Sequence, residues 1–178
     1  SRRLEPVQFT ETVATSMEKE LDFRLEAGGA DQMRAISQDD DWFRVPAIDW
    51  DRTAQRVLTM DWVEGIPLTR PEALEQPGLE RVALANKITR GFLSHAIGHG
   101  VFHADMHEGN ILVLPDNEIG LVDFGLIGRI GFNERRFLAE ILWGFIRRDY
   151  QRVAEVHFEA GYVPANQSVG EVAQALRS

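Results

Sequence analysis

Asp105, Asn110 and Asp123 are three oxygen-bearing side chains set close together along the sequence. The run Phe102-His103-Ala104-Asp105-Met106-His107-Glu108-Gly109-Asn110 is followed, thirteen residues after Asn110, by Asp123-Phe124-Gly125. Between them, Asn110 to Leu114, the turn Pro115-Asp116-Asn117, and Ile119 to Phe124 read as two short apolar strands joined as a hairpin. Folding back on itself, the hairpin places Asn110 at the start of one strand near Asp123 at the end of the other. The preceding loop carries Asp105 into the same mouth. Carboxylate and amide oxygens suit Mg²⁺, which keeps several waters and is completed by substrate phosphates. An aspartate beside such a site can orient or deprotonate an attacking oxygen, which is the local chemistry of phosphoryl transfer. The plainer alternative makes Asp105 and Asp123 turn residues at strand ends, Asn110 part of a local side-chain turn, and Gly125 a source of positive φ.

His95, His99, His103 and His107 recur every four residues, the spacing at which two histidines on one helix grip zinc. Gly98, Gly100 and Gly109 interrupt any single helix through all four, and no cysteine accompanies them. The more economical reading has His103 bracing the loop, with His95 and His99 ordinary helix residues. A net charge of -9 and a pI near 5.0 argue against a nucleic-acid surface, which needs a clustered positive field. No apolar run reaches the roughly 18 to 20 residues that span a bilayer. The absence of cysteine suits a reducing compartment and points to the cytoplasm.

The helices and strands around these residues follow from periodicity. Phe9, Val13, Met17, Leu21 and Leu25 recur every fourth residue, predicting an amphipathic helix from about Thr10 to Ala27 or beyond, with Gly28-Gly29 as its end or its weak point. Val45 to Ile48 and Arg56 to Val63 read as an antiparallel pair turned at Asp51-Arg52-Thr53. A helix is expected from about Leu79 to Ile97, stopped by Gly98 and Gly100. Beyond Gly125 the chain is expected to pass almost directly into helix, with Gly161 and Pro164 before a last short helix. At 178 residues the chain can bury one sizeable core, as one domain or one domain and part of another.

His103, Asp105 and Asn110 also reproduce the His-x-Asp-x₄-Asn spacing of the protein-kinase catalytic loop, and Asp123-Phe124-Gly125 matches its metal-binding tripeptide. With Glu20-Leu21-Asp22-Phe23-Arg24-Leu25-Glu26-Ala27, and with Leu58 to Gly65 as a hinge, the chain resembles the UbiB, or ADCK, family of atypical kinases over nearly its whole length. The resemblance implies an α+β, protein-kinase-like fold, in which residues 1–65 hold a partial N-lobe with helix C, two strands and the hinge. Residues 66–178 would be a mostly helical C-lobe with the catalytic hairpin. It further implies binding of ATP with Mg²⁺ and support of ubiquinone biosynthesis. Asp105 would then be the base and His103 its companion, and Asn110 and Asp123 the metal ligands. Glu20 and Asp22 would form the family's Glu-x-Asp signature, Glu26 the helix-C glutamate, and Met60 and Val63 part of the adenine pocket.

The partners so implied are a nucleotide, a quinone-precursor lipid or proteins of a biosynthetic complex, and no nucleic acid. Membrane contact, at the cytoplasmic face of the inner membrane, would come only through parts missing from this chain. Lys19 and Lys87 are the only lysines, both in predicted helices, and no glycine- or alanine-rich loop precedes Glu20. The chain is therefore expected to be a fragment of a longer protein. Two readings stay open beside this one. The first is a small-molecule phosphotransferase similar to aminoglycoside or choline kinases, which share the Asp-to-Asn spacing, and the second is a non-catalytic nucleotide-sensing scaffold. A quinone-precursor hydroxylase finds no dinucleotide fingerprint and no facial triad for iron.

Overall fold

Asp22 opens the first helix, α1 (Phe23–Asp40), by leaving helical geometry itself while its carboxylate accepts the Arg24 backbone N–H at 3.1 Å. This is a computed structural model describing residues 22–164 and 166–177, so the expectations for Glu20 and for Phe9, Val13, Met17 and Leu21 lie outside the described residues. The cap corrects the helix expected to run from Thr10 through Ala27: a non-helical residue separates Phe23 from whatever precedes it. Leu25, counted on the buried stripe, is 61% exposed, and the inward face is instead Ala27, Ala30 and Met33. Gly28-Gly29 does not end α1, which runs on to a left-handed cap at Asp41.

Two compact units emerge. One comprises the described residues up to Phe92 together with Phe102–Gly128, and the other comprises Leu93–Val101 together with the residues from Arg129 onward. In the first, the expected antiparallel pair exists as bridges rather than regular strands: Asp49 N–H donates to Thr59 O and Asp61 N–H to Ala47 O, each at 2.9 Å, around a 3₁₀ turn at Trp50–Arg52. Then follow β1 (Ile66–Pro67) and α2 (Arg81–Leu93). Past Phe92 the chain continues into a π-helical turn, Ser94–His99, closed by Gly100 at a φ of 72°.

Next come β2 (Val101–His103), β3 (Ile111–Val113) and β4 (Ile119–Leu121). The hairpin is built as the sequence implies, with Ile111 opposite Leu121 and Val113 opposite Ile119. β1 pairs with β3 on one side, giving the order β1-β3-β4, and Arg44 flanks β4 on the other, its N–H donating to Ile119 O at 2.7 Å. Every residue of β3 and β4 is buried, which is why both read as unbroken apolar runs rather than alternating ones. Phe124, directly after them, is the largest fully buried side chain of the described core.

β5 (Ile127–Arg129) was not expected. The chain leaves Gly125 as a short strand paired with β2 before the next helix begins. Three residues, one of them glycine, carry no strand signal of their own, and only the partner strand defines them. The second unit is helical: α3 (Phe132–Arg147), α4 (Tyr150–Glu159) and α5 (Val169–Arg177). Val153, Ala154 and Val156 form its fully buried face, and Val153 packs against Gly144 so closely that a β-carbon there would meet its Cγ2. Among the described residues no helix is long and apolar enough to cross a membrane.

Candidate active site

The loop between β2 and β3 is knotted to itself by backbone and amide hydrogen bonds. His107 N–H donates to Asp105 O at 3.0 Å, Asn110 N–H to His107 O at 2.9 Å, and Asn110 Nδ2 to Asp105 O at 3.1 Å. Asn110 is 6% exposed, so its side-chain amine serves the loop and the amide oxygen is the end left for a ligand. Val122 N–H in turn donates to Asn110 O at 3.1 Å, which holds the loop beside the residue preceding Asp123.

His103 is a brace. Its buried ring accepts the Asp105 N–H on Nδ1 at 3.2 Å, which puts the proton on Nε2, 3.1 Å from Val122 O. One imidazole thus fixes the loop carrying Asp105 to the strand end carrying Asp123. Its ring also lies 5.4 Å from that of Phe124, centroid to centroid. Asp123 adopts a left-handed φ of 63° and is exposed, while the next residue, Phe124, is buried.

α1 brings its first turn to the same place because Gly29 lets it. A β-carbon at position 29 would stand 2.8 Å from Phe124 O and 2.9 Å from Ile127 Cγ1, so only glycine allows the helix to lie directly on the segment after Asp123. Asp22, Glu26, Asp105 and Asp123 consequently line one cleft of about 500 Å³, with Phe23, Leu25 and Leu126 on its apolar side.

The acids of the cleft differ in electrostatics. Arg24 grips Asp22 through two side-chain bonds, Nε to Oδ1 at 2.8 Å and Nη2 to Oδ2 at 2.6 Å, and these hold the Asp22 carboxyl below its ordinary range. Glu26 moves the other way. Partial burial and then the negative charge of Asp123 push it up, against a hydrogen bond from the Phe124 backbone N–H. Lys87 is the one lysine among the described residues, and it acts on Glu118, not Glu26.

Because its folded-state pKa is raised, the protonated form of Glu26 is the one the fold favours. Its stabilising contribution is complete below the ordinary value and is lost as pH rises through the folded pKa. Glu26→Gln is therefore expected to raise the urea midpoint at about pH 7.5, with the gain shrinking toward about pH 4. A gain that grows on acidification would contradict this placement.

Met60 and Val63 are not among the residues lining this cleft. Met60 is bridged to Ile48, and Val63 lies against Gly120 of β4, where a β-carbon would come within 2.9 Å of its Cγ1. Sequence reasoning missed Arg24, Gly29 and the apolar side of the cleft. Only Gly29 carried a signal, since a glycine inside a helix pattern commonly marks close packing.

Among the described residues no group of three His, Cys, Asp or Glu could hold a metal ion, and the His95 and His99 rings meet edge-on, 6.2 Å apart. The donors available to a cation here are oxygens, the Asp123 carboxylate and the amide oxygen of the nearly buried Asn110, with Asp105 on the same cleft as the candidate base. That set fits Mg²⁺, which takes one or two protein carboxylates and leaves its remaining positions to water and phosphate.

Residues 1–157 match the ABC1 atypical kinase-like domain family. A protein of Marinobacter nauticus named "Probable protein kinase UbiB" is 36% identical over 181 residues, covering 99% of this chain and 33% of the relative. Its namesake in Xanthomonas campestris pv. campestris is 35% identical over 182 residues with the same coverage. The chain thus spans about a third of the length of these relatives. A solved structure, the complex of Rv3197 with erythromycin from Mycobacterium tuberculosis, aligns over 99% of this chain and 45% of its own, with a TM-score of 0.73 at 23% identity. At that identity it speaks for the fold alone, a mixed α+β one as expected.

Proposed function

The chain belongs to the ABC1 atypical kinase-like domain family, and from that premise we propose that it carries the metal-binding and base-bearing residues of an ATP-dependent kinase or ATPase of the UbiB type. The observation that carries the reading is the convergence of Glu26, Asp105 and Asp123 on one cleft, with Asn110 tied to the Asp105 carbonyl. Asp123 and Asn110 hold Mg²⁺, which supplies neutralisation of phosphate charge when bound. Asp105 accepts the proton of an attacking hydroxyl or water as that oxygen bonds to phosphorus and the nucleoside diphosphate leaves. His103 keeps the two aspartates in register. Asp22 and Glu26, with Glu20, belong to the nucleotide side of the site, and Met60 and Val63 to the adenine side. The division into a partial N-lobe, residues 1–65, and a C-lobe, residues 66–178, belongs to the same reading.

Only residues 126–131 separate Gly125 from α3, and three of these are in β5. That leaves little chain for a peptide-docking activation loop, which favours a small or lipid acceptor, or water. Ubiquinone biosynthesis, at the cytoplasmic face of the inner membrane, is the setting we propose from the sequence resemblance to the UbiB family. Calorimetric titration of ATP into the full-length protein, with and without Mg²⁺, tests the reading. Affinity that depends on Mg²⁺ and is lost in Asp123→Ala is expected. Equal affinity in both proteins would remove Asp123 from the metal site.

A further inference from the structure

The proposed reaction gives His107 no role, yet its ring has a seat built for it. Gly109 N–H donates to His107 Nδ1 at 3.0 Å. A β-carbon at position 109 would stand 2.8 Å from Cε1 and 3.1 Å from Nδ1 of that ring, so the absence of a side chain there makes the seat. With Nδ1 occupied as an acceptor, the neutral imidazole carries its proton on Nε2. Nε2 faces Asp105 Oδ2 at 3.8 Å. Both side chains are more than half exposed, at 58% and 54%, so each is free to make the small rotation that completes a hydrogen bond.

We infer that His107 is a positioning residue for Asp105, presenting an N–H of fixed tautomer to one carboxylate oxygen so that the other is turned to the proton of the attacking group. The inference rests on the kinase or ATPase reading above. The donor needs no change of protonation, since the neutral ring already supplies it. It differs from His103, which reaches Asp105 only through the backbone N–H and is buried. His107 acts on the carboxylate itself, from the solvent side.

The test uses Mg-ATP turnover by the full-length protein. His107→Ala is expected to lower kcat about 10- to 100-fold, with KM for ATP within roughly twofold of wild type, because a lost orientation is felt in the transition state and not in nucleotide binding. His107→Gln, whose amide N–H reaches the position of Nε2, should recover part of that loss. Gly109→Ala, which keeps the histidine but fills its seat, should reproduce the kcat defect. Wild-type turnover that His107→Ala leaves unchanged, or a loss that His107→Gln does not relieve, overturns the inference alone. Absence of any turnover that Asp123→Ala abolishes overturns the reading beneath it, and the inference falls with it.

Discussion

Asp105→Asn in the full-length protein is expected to lower Mg-ATP turnover about 100- to 10,000-fold, the range in which a positioned general base contributes, while leaving Mg-ATP affinity nearly intact. The separation follows from where Asp105 sits. Its backbone, not its carboxylate, carries the loop: the carbonyl takes bonds from His107 N–H and Asn110 Nδ2, and the N–H is held by His103. An asparagine of the same shape leaves all of these in place. The carboxylate is 54% exposed at the cleft, so its replacement costs the fold little. Stopped-assay turnover beside calorimetric affinity decides the matter. Parallel loss of both would make Asp105 a nucleotide or metal ligand instead of a base.

The largest expected effect on stability is at Phe124. Its side chain is 1% exposed, against His103 and behind the left-handed turn at Asp123. Truncation to alanine removes that burial and leaves a cavity the short strands cannot readily close, a cost of about 3–5 kcal/mol. Phe124→Leu, which fills most of the volume, should cost about half as much or less. Urea unfolding of the two variants checks the order. Because Phe124 backs the turn that presents Asp123, the alanine variant should also lose Mg²⁺-dependent nucleotide affinity under conditions where it remains folded. A folded alanine variant with wild-type affinity would show that the turn holds Asp123 without the ring.

What was legible in the sequence was what is decided locally. The hairpin announced itself through two apolar runs around Pro115-Asp116-Asn117, and the order Asp105, Asn110, Asp123 around it follows from chain direction alone. The long-range pairings were not legible. β5 exists because β2 lies beside it, and the bridge from Arg44 to β4 joins segments far apart in sequence. The start of α1 was misread although its cause is local. A four-residue apolar spacing continued through Leu21 and Leu25, but the capping aspartate at position 22, with Arg24 clasping its carboxylate, set the boundary. Capping geometry is worth about 1 kcal/mol at one residue, enough to place a helix end that periodicity blurs. Leu25 then turned outward, onto the side of the cleft that no spacing had suggested.

The apposition of Gly29 and the Phe124 carbonyl has a consequence for the gap between Glu26 and Asp123. At Gly29, three residues along α1 from Glu26, the helix backbone lies against the Phe124 carbonyl, which directly follows Asp123, with no side chain of its own between them. A side chain at position 29 would therefore push the helix that carries Glu26 away from the segment that follows Asp123, and widen the gap between the two acids. A position with no side chain thus acts as the spacer between two charged ones.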